Sequence, residues 1–396
     1  MSKSELRDLL ASLSPAQVHA LQGRLSSGST LAKPLERMVR FSLFFFGDTH
    51  VEAGRLYDFL LRSAKIADEL GLWAIWTPER HFHEFGGAYP DPAVLGAALA
   101  IAAPTLKIRA GSVVLPINDT IRVAERWSIV DNLSQGRVGI AVASGWHPDD
   151  FVLARAGFEE RKRVFAEEIG TLERLWRGET LDAVSREGAR VGIRIYPRPV
   201  QKQLPLWITC SSGADNWRLA ARRGANVLTG LLEQSPDQLA ESIGKYRLEL
   251  AKHGHDPTTR EVALMLHTYI CPEGGPVPGP VRAALTQYLL NHMSFYETMV
   301  GKRDLGVDVD SLTAADRSEL VEMGVERYLA TSSLIGDADE CYRRAARFSA
   351  IGVDEIACLV NFGLSEGLIL EGITRLAQVS DRYADSALRQ AATQGV

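Results

Sequence analysis

The stretch Trp-Thr-Pro-Glu-Arg-His-Phe at residues 76 to 82 sets Glu79, Arg80 and His81 side by side, with His83 two positions further on. A carboxylate, a guanidinium and an imidazole this close can move protons and stabilise developing charge. The same residues also suit a plainer role as an Arg–Glu pair and a solvated His on a loop. No metal site is indicated, because His81 and His83 lack a Glu-x-x-His helix or a third His at ligand spacing. Two further stretches carry chemistry. "ASGWHPDDF" (143 to 151) places small residues and Gly145 where a flat ring could approach the backbone, followed by Trp146 and His147; Gly145 would serve equally as turn punctuation. "TCSSGADNW" (209 to 217) puts Ser211, Ser212 and Gly213 ahead of a helix. Free N–H groups there, with two hydroxyls, would cradle a phosphate, or a serine would simply cap the helix.

All three stretches follow short apolar runs, and the runs define the frame that must position them. Candidate strands are residues 39–47, 72–78, 106–116, 136–146, 204–210, 225–231, 261–271 and 354–363. Between the early ones lie helices over about 52–70, from Asp91, over about 120–133 and over about 159–178; Asp91-Pro92 reads as an N-cap followed by a first-turn proline. Alternating strands and helices predict an α/β fold, a (β/α)8 TIM barrel with its active site at the C-terminal ends of the strands. Alternation and Gly188 in residues 179–204 predict a hairpin inserted after the fourth helix. Residues 272–335 read as a long lid-like insertion between strands seven and eight. Residues 1–34 stand apart as a helical appendage and linker, leaving 35–396 as the barrel domain.

Bulk properties narrow the function. The 396 residues are 46% hydrophobic and 23% charged, with a net charge of −5. That balance fits a globular chain with a large core and offers no basic field for nucleic acid. No apolar run is long enough for a membrane span and no signal-peptide core opens the chain, so a cytoplasmic location is expected. Cys210, Cys271, Cys341 and Cys358 have no paired spacing, which predicts reduced thiols.

Residues 38 to 365 resemble the bacterial luciferase-like monooxygenase family. The resemblance rests on "TPERHF" against a strand-two Glu-His-His-Phe pattern, "VVLP" (113 to 116) and "VDNLSQGR" (130 to 137) before strand four. "TPERHF", "ASGWHPDDF" and the leader are similar to a subgroup associated with polyketide and nonribosomal peptide synthases. The family binds FMN in its reduced form, FMNH2, supplied by a separate flavin reductase, and uses O2 as co-substrate. The resemblance implies that Arg163, Cys210, Ser211, Ser212 and Gly213 hold the flavin phosphate end. Gly111 and Ser112 fall where the family has an often cis peptide beneath the ring, and Ala143, Ser144 and Gly145 fall beside its reactive face. Absence of a Gly-x-Gly-x-x-Gly fingerprint agrees with a flavin reduced elsewhere.

Two departures bear on roles. Arg80 stands where the family pattern has its first His, and a guanidinium keeps its proton near neutral pH. His81 or His147 is then the expected proton-transfer group, beside Glu79, with Arg80 stabilising negative charge. Ala143 replaces a cysteine and leaves room beside the ring. The implied activity is insertion of one oxygen atom into an acyl or aminoacyl substrate, free or on a carrier protein, by an enzyme whose family habit is a homodimer. Competing readings are a deazaflavin-dependent oxidoreductase on the same barrel and a non-catalytic protein docked to a synthase.

Overall fold

A computed structural model describes residues 38–46, 54–83, 87–273, 275–300 and 325–394, with Thr313 and Glu322; the appendage expected over 1–34 lies outside them. Eight parallel strands close a barrel: β1 (Arg40–Phe44), β2 (Ala74–Thr77), β3 (Lys107–Val114), β4 (Val138–Ala143), β7 (Leu206–Thr209), β8 (Asn226–Gly230), β9 (Val262–Ile270) and β11 (Glu355–Leu359). They pair in that order, β8 on β9 and β11 back on β1, so the wall has no free edge. Their residues are apolar on successive positions because one face meets the barrel interior and the other meets helices. Each of the eight predicted strands is present, trimmed at its ends to the residues that pair.

The early helices begin where side chains can satisfy free N–H groups. Asp91 accepts from the Ala93 and Val94 backbones ahead of α2 (Pro92–Ala102), and Asp119 does the same for Ile121 and Arg122 ahead of α3 (Thr120–Leu133). They follow α1 (Leu56–Glu69) and precede α4 (Arg161–Arg177), which stops at Gly178 with φ +86°. The expected hairpin is β5 (Leu181–Val184) paired antiparallel with β6 (Arg190–Ile193). Then come α5 (Ala214–Arg223) and α6 (Pro236–Lys252), which opens with a Ser235/Gln238 capping box.

The window expected to be a lid contains more regular structure than the sequence reading gave it. It holds a helix, α7 (Gly279–Val300), and a short strand, β10 (Leu334–Gly336), ahead of α8 (Ala338–Ala350). β9 explains the extra strand. Its first half pairs with β8 and β11, while its overhang Thr268–Ile270 pairs with β10 above the wall. The chain ends in α9 (Glu366–Gln394).

The barrel interior is polar toward the N-terminal ends of its strands. Glu355, fully buried, accepts from Ser42 Oγ at 2.6 Å and Trp76 Nε1 at 2.8 Å, and pairs with Arg109 at 3.1 Å. Arg109 in turn lies over the rings of Trp207 and Trp76, at 4.1 and 4.9 Å. Stacking and hydrogen bonds together are what allow two charges in such a place. No described helix is long and apolar enough to cross a membrane, and the four cysteines are buried and unbonded to one another.

Candidate active site at the C-terminal mouth

Strands β1, β2, β3, β4, β7, β8 and β9 deliver residues to one cavity of about 230 Å³ at their C-terminal ends. Its apolar lining comes from Phe44, Phe46, Val114, Trp146, Leu228 and Met265, a wall suited to a flat ring. Polar groups interrupt that wall at Glu79, Arg80, Ser112, Thr209, Ser211 and Ser212. Eight residues singled out from sequence meet here: Glu79, Arg80, Gly111, Ser112, Ala143, Cys210, Ser211 and Ser212.

Glu79 is the anchored member of the strand-two loop. Its Oε2 accepts the Val114 backbone N–H at 2.6 Å, and Asn118 Nδ2 reaches both carboxylate oxygens, at 2.9 and 3.1 Å. His81 Nε2 lies 3.2 Å from Glu79 Oε1, and that contact raises the imidazole pKa above its ordinary value, against partial burial. Arg80 is buried. Its guanidinium sits over Phe46 at 4.9 Å and Trp146 at 5.2 Å, and its backbone donates to Tyr89. Burial lowers the Arg80 pKa, yet a guanidinium remains the charged group of the mouth. Asn361, after β11, holds this platform from behind: it accepts from the Phe46 backbone at 2.8 Å and donates to the Tyr89 hydroxyl at 3.0 Å.

Across the mouth, the Ser112 hydroxyl is hydrogen-bonded to that of Thr209, tying the end of β3 to the end of β7. The Gly111–Ser112 peptide is cis. A Cβ on Gly111 would lie 2.7 Å from the Phe44 ring, so no side chain fits at that point. Ser211 and Ser212 are exposed at the rim, and Gly213 is the N-cap residue of α5. No side chain caps the free N–H groups of that first turn, and with two nearby hydroxyls they are the kind of donor set that suits a phosphate.

Other expected residues are elsewhere. Arg163 does not line the cavity: it is 59% exposed on the first turn of α4, where Glu160 and Glu167 hold its guanidinium at 3.1 and 2.9 Å. Its i−3 and i+4 neighbours supply carboxylates on the same helix surface, the local pairing that such spacing favours. His147 is buried behind the wall, 4.0 Å from Asp150 and ring to ring with His83 at 5.4 Å. His81, Ser144, Gly145 and Gly213 also stay off the cavity lining. Gly145 shapes the loop instead, at φ +82° with Phe151 where a Cβ would be.

Residues the sequence reading passed over complete the site. Thr209, Asn118, Asn361 and Glu233 are polar groups whose strand-end or loop positions became visible only with the barrel closed. Thr209 had a signal, as the last residue of the strand before "CSSG". Above β9, Tyr288 of α7 packs edge-on against His267 at 4.4 Å, with Tyr328 and Phe362 on the same ring at 5.6 and 5.4 Å. Part of the expected lid therefore folds onto the C-terminal end of the barrel. Burial raises the Tyr288 and Tyr328 pKa values above the ordinary phenol range. No group of three or more His, Cys, Asp or Glu suited to a metal exists among the described residues.

An apolar slot, convergent hydroxyls and a helix start fit a phosphorylated flat ring, and that fit rests on the donor set. Comparison with known proteins points the same way. The family model described as luciferase-like monooxygenase matches residues 38–355. The oxygenase component of the flavin-dependent trigonelline monooxygenase of Acinetobacter baylyi is 24% identical over 337 residues, covering 83% of this chain and 90% of that protein. Among solved structures, the oxygenating constituent of 3,6-diketocamphane monooxygenase from Pseudomonas putida, in complex with FMN, aligns with a TM-score of 0.68 at 17% identity, over 87% of this chain and 98% of that one. An F420-dependent secondary alcohol dehydrogenase aligns with a TM-score of 0.64 at 16% identity, over 86% and 98%. At such identities the solved structures speak for the shared fold alone.

Proposed function

The chain belongs to the luciferase-like monooxygenase family, and from that premise we propose that it is the oxygenase component of a two-component, FMN-dependent monooxygenase acting on an acyl or aminoacyl substrate of natural-product assembly. The observation that carries this reading is the single mouth joining an apolar slot to Arg80, Glu79 and the Ser112, Ser211 and Ser212 hydroxyls. Reduced flavin, when bound, supplies the electrons that activate O2.

Each residue then has a physical task. Phe44, Val114, Leu228 and Met265 line the slot and would exclude water from a flat ring held there, which would strengthen charge interactions nearby. Ser211, Ser212 and the α5 N-terminus would hold the phosphate. Arg80, fixed between Phe46 and Trp146, stabilises negative charge developing on an oxygen atom. Glu79 keeps His81 protonated more often than a free imidazole, and the pair stores a proton next to the mouth.

A flavin reductase is the proposed partner, in keeping with a relative named as an oxygenase component. A carrier protein bearing the substrate, a homodimer, a cytoplasmic setting and a division into a helical appendage and linker, residues 1–34, and a barrel domain, residues 35–396, complete the proposal. Incubation of candidate acyl and aminoacyl thioesters with FMN, a flavin reductase, NADH and labelled O2 tests it. One labelled oxygen in the product is expected; absence of label, or rapid NADPH oxidation with FMN and no reductase, defeats it. The deazaflavin reading is kept because a deazaflavin-dependent dehydrogenase shares the fold. Titration with FMN against a deazaflavin, followed by fluorescence quenching, separates the two and also detects a barrel that binds neither.

A further inference from the structure

At the opposite, N-terminal end of the barrel lies a second cavity, of about 510 Å³, that the proposed reaction does not use. Four buried N–H donors in its lining have no protein acceptor among the described residues: Trp73 Nε1, Trp207 Nε1, Arg109 Nε and Arg260 Nε; Arg109 Nη1, ion-paired with Glu355, and Glu261 Oε2 also make no hydrogen bond. Arg109 and Trp207 are 4% and 2% exposed, and both face this space. Buried donors are ordinarily satisfied, so four in one cavity require an explanation.

Charge points in the same direction. Of the cations lining the cavity, Arg223 is matched by Glu173 at 3.3 Å, and Arg177 turns to Glu179 at 2.8 Å. Lys107, Arg109, Arg137 and Arg260 remain, with Glu261 as the carboxylate among them. Glu261 Oε1 pairs with Arg40 at 2.7 Å, while its buried Oε2 makes no hydrogen bond and lies 3.8 Å from Arg109 Nη1, and Arg109 pairs with the buried Glu355 at 3.1 Å. Arg137 is held by backbone carbonyls of Ala100 and Ala103, and Lys107 rests over the Trp73 ring at 5.6 Å. Burial first, then the neighbouring Arg109 and Arg137, lower the Lys107 pKa from its ordinary value.

We propose that this cavity binds a phosphate-type oxyanion, either inorganic or the phosphoryl end of a small metabolite, whose oxygens accept from the four donors and neutralise the Lys107–Arg137–Arg260 cluster. Such a ligand suits the place, since multiple acceptors and more than one negative charge answer several donors at once. The barrel face concerned is the one that sets stability rather than chemistry, so occupancy raises the melting temperature.

Calorimetric titration of the full chain with inorganic pyrophosphate, inorganic phosphate and succinate tests the assignment, with tryptophan emission as a local readout from Trp73 and Trp207. Saturable one-to-one binding of pyrophosphate or phosphate, changed tryptophan emission and a raised melting temperature are expected. The doubly substituted Lys107→Gln, Arg260→Gln chain loses at least tenfold in affinity, while FMN binding at the other end is unchanged. Glu261→Gln, which removes the carboxylate, tightens binding several-fold and gives an independent result should the double variant fold poorly. Pyrophosphate binding alone assigns a diphosphate ligand, and equal phosphate binding a single phosphoryl group. No saturable binding, equal affinity for succinate, or affinity unmoved by all three substitutions overturns the proposal and leaves the donors to water.

Discussion

His81 Nε2 lies 3.2 Å from Glu79 Oε1, and Glu79 is itself pinned by the Val114 backbone and Asn118. This places the imidazole's partner, though not the imidazole itself, on the wall of the catalytic mouth. The contact raises the His81 pKa, so its contribution to stability is complete below the unfolded value near 6.5 and is lost as pH rises through the folded value. Glu79→Gln should return the His81 titration, followed by NMR of its ring protons, toward the ordinary value. A titration that does not move would assign the shift to another cause.

Arg80 and His81 should separate in kinetics. Replacing a preorganised charge donor at the reacting atom costs roughly 10²–10³-fold in turnover, and Arg80→Met is expected in that range with flavin affinity little changed. His81→Ala should lose less and shift the pH–rate profile, since His81 acts through Glu79. Arg80→His, which restores the family's imidazole, should keep part of the activity and add a new ionisation. Equal losses in Arg80→Met and His81→Ala with unshifted profiles would remove these roles.

Thr209→Val breaks its hydroxyl contact with Ser112 at nearly constant volume. Loss of one hydrogen bond is worth about 1 kcal/mol, or roughly fivefold in an equilibrium, and FMN affinity measured by fluorescence quenching is expected to fall by about that factor. An unchanged dissociation constant would show that the pair does not shape the flavin slot.

Arg109 and Glu355 make a stability prediction. Glu355→Gln leaves the guanidinium buried without its compensating charge, and such losses run to about 3–5 kcal/mol. Urea unfolding should show it as a lower midpoint at constant slope. Adding Arg109→Met to the same chain should recover much of the loss, because the uncompensated charge is then gone; a purely additive double variant would count against the coupling.

Gly145 combines φ +82° with the Phe151 ring 2.9 Å from where a Cβ would sit. Gly145→Ala should therefore destabilise the fold by about 1–3 kcal/mol, seen as a lower urea midpoint. A neutral effect would mean that the loop relaxes freely.

The eight-strand rhythm, the Asp91 and Asp119 caps and the hairpin near Gly188 were legible in the sequence because apolar periodicity, capping side chains and turn residues are local signals. So was the family, from ordered motifs read over residues 38 to 365, of which the family model matches 38–355. The placement of Glu79, Arg80, Ser112 and Ser211 at one mouth followed from the rule that barrel chemistry gathers at the C-terminal strand ends.

What the sequence could not decide were relations across the barrel. That Asn118 holds Glu79, that Thr209 meets Ser112 and that β9 overhangs far enough to take β10 depend on closure. So does the meeting of Trp73, Trp207, Arg109 and Arg260 at the other end, from residues up to 187 positions apart. The amino-acid sequence by itself determined which elements form and which end of each carries chemistry, since those follow from a few neighbouring residues. Which side chains share a hydrogen bond or a cavity was decided only by the closed barrel, whose tilt and register bring distant positions within a few ångströms of one another.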